Sequence, residues 1–172
     1  WNVPYRQAGF FTGRDHVLEQ LLEGFTPGFN AHMIPLQALT GLGGLGKTQT
    51  AVEYAFRYRQ EYRAVLWVNA ETEQTLIASF RAIADLLKRP QMHLQNRKSL
   101  TDSMQEWFLT AIDWLMVFDN ADDPALVDPF LPSAARGHLL LTTRATAMGA
   151  TTAQSIPLSP LEPEDGALCI LR

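Results

Sequence analysis

The sequence predicts an α/β fold of three layers, α/β/α, in which helices cover both faces of one five-stranded parallel sheet. Three observations point there. Short, continuously apolar runs such as Ala64-Val65-Leu66-Trp67-Val68 and Trp114-Leu115-Met116-Val117-Phe118 have the character of strands buried on both faces. Amphipathic stretches with helical spacing separate these runs, and such alternation builds parallel sheets with right-handed crossovers. A glycine-rich turn, Gly41-Leu42-Gly43-Gly44-Leu45-Gly46-Lys47-Thr48, joins the first apolar run to the helix behind it.

Taken in order, residues 1–10 are irregular, broken by Pro4 and Gly9. Thr12 and Asp15 have capping-box spacing, and Val17, Leu18, Leu21, Leu22 and Phe25 give a helix over 15–25 that Pro27-Gly28 ends. Residues 34–39 read as the first strand and 49–59 as a helix, with Ala51, Val52, Ala55 and Phe56 toward the sheet and Arg57 and Arg59 outward. After the strand at 64–68, Leu76, Ile77, Phe80, Ile83, Ala84 and Leu87 form one helical stripe. Residues 88–100 are polar and carry Lys88, Arg89, Arg97 and Lys98. With no aromatic residue interleaved they read as a solvated loop rather than a nucleic-acid patch.

Ser103 and Glu106 have capping-box spacing, and Met104, Trp107, Phe108, Ala111 and Ile112 supply the core face of a further helix. The strand at 114–118 runs into Asp119-Asn120-Ala121-Asp122-Asp123, and Pro124 suits the first position of a short helix. A loop over 129–137, a strand over 138–144, a short strand at Ser155-Ile156 and a helix begun at 162 complete the chain.

Length and composition fit this reading. A chain of 172 residues suits one domain that buries about 70% of its unfolded surface. The single cysteine, Cys169, excludes an internal disulfide and reads as a small core residue, which suits a cytoplasmic setting. No apolar run is long enough for a membrane span, no signal segment opens the chain, and the abrupt ends suggest an excised piece. A net charge of −4 argues against bulk nucleic-acid binding, and His16, His32, His93 and His138 share no metal-binding spacing.

The glycine-rich turn fits the pattern G-x-x-x-x-G-K-[ST]. Tight glycine turns let backbone N–H groups converge on a phosphate chain, and the positive end of the following helix adds to the attraction. Lys47 is expected at the β- and γ-phosphates, and the Thr48 hydroxyl as a neutral oxygen for Mg²⁺. Asp119 alone could be a turn or helix cap. Downstream of such a loop it is expected to hold Mg²⁺ at the carboxyl end of its strand. Arg144, at the end of a later strand and without an acidic neighbour in sequence, is expected to read the γ-phosphate. For orienting the attacking water the candidates are Asn120, Asp122, Asp123 and Glu71. Asn120 cannot take a proton, so turnover is expected well below ~1–10³ s⁻¹.

Together these stretches resemble the NB-ARC domain of STAND-class P-loop NTPases, a group that includes plant resistance proteins, the animal apoptosome scaffold and repeat-bearing bacterial and fungal proteins. The likeness rests on Phe11-Thr12-Gly13-Arg14-Asp15, on residues 39–48 with the following Gln49-Thr50-Ala51-Val52-Glu53-Tyr54-Ala55, and on residues 64–71. Residues 115–123, Leu140-Leu141-Thr142-Thr143-Arg144 and Pro157-Leu158-Ser159-Pro160-Leu161 extend it. The resemblance implies a P-loop NTPase sandwich with sheet order 2-3-4-1-5, ATP or ADP with Mg²⁺ as ligand, and adenine rather than guanine. It implies that Val3, Phe11, Gly13, Arg14 and Pro157 are nucleotide contacts beside Gly41, Gly43, Gly44, Leu45, Gly46, Lys47, Thr48 and Gln49. Residues 1–10 would be a lead, 11–160 the core and 161–172 the start of a helical subdomain. Missing helical, winged-helix and repeat domains would be partners within a longer protein. The family often has Asp where this chain has Asn120, which puts efficient hydrolysis in doubt. The leading expectation is a nucleotide switch that controls self-association; an AAA+-like ATPase and a small-molecule kinase are the alternatives.

Overall fold

The computed structural model describes residues 1–26, 35–88, 97–132, 136–145 and 153–170. In chain order the elements are α1 (Asp15–Phe25), β1 (Leu36–Thr40), α2 (Lys47–Arg57), β2 (Ala64–Asn69), α3 (Glu73–Leu86), α4 (Arg97–Thr110), β3 (Ile112–Asp119), α5 (Pro124–Val127), β4 (Arg136–Thr143), β5 (Gln154–Pro157) and α6 (Pro163–Ile170). Every strand pairing is parallel, and the order is β2-β3-β4-β1-β5, as the resemblance implied.

Side chains alternate across the strands with a period of two, so β1 to β4 each feed two cores. Leu66, Val68, Met116, Phe118, Leu139 and Leu141 join Leu76, Phe80 and Ile83 of α3 and Met104 and Phe108 of α4. Val65, Trp67, Leu115, Val117 and Leu140 join Val17, Leu18 and Leu21 of α1 and Ala51, Val52 and Ala55 of α2 on the other face. The runs are apolar throughout because both faces are covered. Phe80 stacks on Phe130 at 4.8 Å, and burial of each such ring contributes roughly 1.5–3 kcal/mol.

Several local expectations change. The Thr12–Asp15 capping box does not form: Arg14 is the N-cap of α1 and makes no side-chain cap bond, while Thr12 Oγ1 donates to Asp165 Oδ1 at 3.1 Å. The helix read as starting at Ser103 starts at Arg97, so Ser103 and Glu106 are interior positions, and Ile112 belongs to β3 rather than to the helix. α2 begins two residues early, at Lys47, and a short 3-10 turn over Arg59–Glu61 takes up its predicted end. Thr72 and Thr75 form the capping box that opens α3. Pro124 does start α5, with Asp123 Oδ1 accepting from Ala125 N at 3.0 Å. Pro27-Gly28, His32, Ile34, most of the basic loop and the centre of the 129–137 loop lie outside the described residues, as does the side chain of Cys169. No helix among the described residues is long and apolar enough to cross a membrane.

Candidate phosphate and cation site

The carboxyl ends of β1, β3 and β4 bring the sequence-flagged residues together. β1 ends at Thr40, the glycine turn follows, and α2 starts at Lys47. Two glycines are required by the backbone. Gly46 has φ +84° immediately before α2, and a Cβ on Gly41 would stand 2.8 Å from the Leu158 carbonyl oxygen. The turn and its surroundings line a cavity of about 440 Å³ with Gly43, Gly44, Gly46, Lys47, Thr48, Gln49, Glu71, Asn120, Asp122 and Arg144. The Lys47 ammonium donates to the Gly41 and Leu42 carbonyls, both at 2.7 Å. Burial pushes its pKa down against the opposing pull of Asp122.

Asp119 ends β3 and is buried. Its Oδ1 accepts from Thr48 Oγ1 at 2.8 Å and from Thr142 Oγ1 at 2.6 Å, and its Oδ2 accepts from the Tyr5 hydroxyl at 3.4 Å. Thr48 and Asp119 thus stand side by side, although their elements are far apart in sequence. Among the described residues no group of three or more His, Cys, Asp or Glu could hold a metal by itself. A carboxylate next to a hydroxyl fits a hard divalent cation that keeps most of its ligands as water and phosphate oxygen.

The turn after β3 has a backbone cause. Asn120 sits at φ 59°, a left-handed conformation that Asn tolerates better than most residues. Its N–H bonds to Thr142 Oγ1 and the Ala121 N–H to the Thr142 carbonyl, which turns the chain toward β4. Asp122 then meets Arg144. Its Oδ1 accepts from the Arg144 backbone N–H and its Oδ2 from Nε, both at 2.6 Å, and Thr143 Oγ1 donates to Oδ1 as well. Burial alone would raise the Asp122 pKa, but these donors together hold it below the ordinary carboxylate value. Arg144 therefore has an acidic partner that its sequence neighbours did not reveal.

The residues assigned to the adenosine side do not enter this cavity. Val3 and Phe11 pack, partly buried, against the α1–α2 core. Arg14 is buried and its guanidinium donates to the Leu45 carbonyl at 3.3 Å and to the Ser159 carbonyl, so its partners are backbone oxygens of the loop and of the segment after β5. Gly13, at φ +73°, lies against Asp165. Pro157 is exposed and lines a separate cleft of about 430 Å³ with Gln20, Glu23, Gly24, Gln154, Ser155 and Ile156. Gly41 opens the glycine turn and Leu45 packs on the core, both outside the cavity lining. Sequence reasoning missed Thr142, Tyr5 and the Asp122 partner of Arg144. The paired threonines closing an apolar strand were the available signal for the first.

The NB-ARC domain family model matches residues 13–170. A nucleotide-binding leucine-rich repeat (NLR)-like protein of Hyaloscypha variabilis is 32% identical over 165 residues, covering 84% of this chain and 16% of that protein. The putative disease resistance protein RGA4 of Solanum bulbocastanum is 28% identical, covering 97% of this chain and 18% of that protein. The chain therefore spans less than a fifth of these curated relatives. Among solved structures, Cdc6p from Pyrobaculum aerophilum superposes with a TM-score of 0.66 at 20% identity, over 98% of this chain and 51% of that one, a likeness of fold. With the glycine turn, the strand-end aspartate and the sheet order in place, the matched span shows that this chain belongs to the NB-ARC family of P-loop NTPases.

Proposed function

We propose that this chain binds ADP or ATP with Mg²⁺ and serves as the nucleotide-dependent switch of a longer multidomain protein. The observation that carries the reading is the direct contact between buried Asp119 and Thr48, which lines a glycine-lined cavity together with Lys47. The glycine turn offers backbone N–H groups to the phosphates. Lys47 can exchange its two loop carbonyls for phosphate oxygens, which are stronger partners for an ammonium. Thr48 and Asp119 would hold the cation, whose charge would offset that of the terminal phosphates. Arg144 would leave Asp122 for a γ-phosphate and return to it when only a diphosphate is bound.

Hydrolysis on this reading is slow. Of the two carboxylates that line the cavity, Asp122 is tied to Arg144, which leaves Glu71 to orient or deprotonate a water. The choice of adenine rests on family membership. The names of the resistance and NLR-like relatives support a signalling role, with domains beyond this chain following the bound nucleotide through self-association. A nucleotide shifts such a balance only by its differential affinity, and a change from 1:99 to 99:1 needs about 5.5 kcal/mol. Calorimetric titration of the chain with ADP, ATP and GTP, each with and without Mg²⁺, tests the reading. Adenine nucleotides should bind, with ATP dependent on Mg²⁺. Absence of affinity for any purine nucleotide at millimolar concentration would refute it.

A further inference from the structure

The lead before α1 makes contacts that reach the cation carboxylate. β2 is the outermost strand of the sheet, and Asn2 bonds to its free edge. Asn2 Oδ1 accepts from Trp67 N at 2.7 Å, Asn2 Nδ2 donates to the Trp67 carbonyl at 3.2 Å, and Asn2 N donates to the Val65 carbonyl at 3.3 Å. Trp1 packs edge-on against Phe56 at 4.9 Å with the Arg59 guanidinium over its ring. Farther along, the Tyr5 ring meets Trp67 edge-on at 5.4 Å, and Gln7 Nε2 donates to the carboxylate of Glu53 on α2.

Tyr5 is thus held from both sides, with its hydroxyl on Asp119 Oδ2. The other oxygen, Oδ1, already accepts from Thr48 and Thr142, so Oδ2 is the oxygen with capacity left. Asp119 is only 1% exposed, and Tyr5 is part of what covers it. We propose that the Tyr5 hydroxyl competes with a divalent cation, or with a water bound to it, for Asp119 Oδ2, so that residues 1–7 form a strap that cation binding must shift. This inference rests on the nucleotide reading above. It makes the lead an antagonist of the metal.

Two substitutions separate the hydroxyl from the strap. Tyr5→Phe removes the competing donor and keeps the ring on Trp67. Asn2→Ala removes two of the bonds that hold the strap to β2 and leaves the site untouched. In the full chain saturated with ADP, Mn²⁺ binding read by electron paramagnetic resonance should tighten about threefold in Tyr5→Phe, the low end of what one hydrogen bond contributes, as its 3.4 Å length implies. Asn2→Ala should shift Mn²⁺ affinity in the same direction, and metal-free ADP affinity should stay unchanged in both. Equal or weaker Mn²⁺ binding by Tyr5→Phe overturns the competition. A wild-type response from Asn2→Ala overturns the strap. Failure of the wild-type chain to bind ADP overturns the nucleotide reading instead, so the results are distinguishable.

Discussion

At the carboxyl end of β1, β3 and β4 the polar groups are ionic: Lys47, Asp122 and Arg144 line one cavity, Asp119 stands behind Thr48, and the Lys47 ammonium is held by carbonyls of its own loop. At the opposite end of the same sheet one buried chain of polar groups is neutral and closes on itself. Tyr54 shares a hydrogen bond with Tyr62 at 3.1 Å, Tyr62 shares one with His138 Nδ1 at 2.8 Å, and Phe25 stacks on His138 at 4.6 Å. Burial pushes the Tyr62 hydroxyl up to about 12 and the His138 imidazole down, so each keeps its uncharged form. The Tyr54–Tyr62–His138 chain satisfies itself with neutral partners, whereas the groups around the cavity keep charges whose partners can be exchanged.

Substitutions at the two ends should therefore separate binding from stability. Lys47→Ala should weaken ADP by about 100-fold or more, as loss of one member of a desolvated charge pair does, and leave the thermal midpoint near that of the wild type. Calorimetry and melting on the same sample check this, and a large fall in the midpoint would erase the contrast between the ends. Gly137→Ala is the converse. Its Cβ would stand 2.3 Å from the Trp114 ring, which should lower stability by about 1–3 kcal/mol in urea unfolding while ADP affinity holds.

A finer division lies within the ionic end. Arg144→Ala should cost ATP about tenfold more affinity than ADP, the value of one charge-assisted hydrogen bond. Equal losses would show that Arg144 serves only Asp122. The smallest effect belongs to the neutral Tyr54–Tyr62–His138 chain. His138 has a folded pKa below its unfolded value, so the unfolded chain binds the proton first as pH falls. Its stabilising contribution is present above the unfolded pKa of about 6.5 and is lost as pH falls through the folded value. Urea midpoints at pH 7.5 and 5.5 should therefore differ less in His138→Gln than in the wild type.

Much of this was legible in the sequence because it was local. The span of α1 follows from its apolar spacing, and the glycine turn and the strand-end Asp119 each declare themselves within a few residues. The errors came where a local signal had a competitor. Ser103 and Glu106 have the spacing of a cap, but Leu100 is buried on the same helix, which carries the start back to Arg97. Thr12 found a partner in Asp165, far along the chain, instead of capping α1. The Asp122–Arg144 pair and the Thr142–Asp119 bond needed the neighbouring positions of β3 and β4, and sheet order was implied only by resemblance.

Arg14 ties the glycine turn after β1 to the segment after β5, beyond the last pairing of the two strands. One guanidinium holds the Leu45 carbonyl of the phosphate loop and the Ser159 carbonyl just ahead of α6, while Thr12, two residues earlier, holds Asp165 within α6. Any displacement of α6 relative to α1 would cost the Thr12–Asp165 bond, and any displacement of the segment before it would cost the Arg14–Ser159 bond. Through these bonds the glycine turn, the segment after β5 and α6 share one set of side-chain anchors.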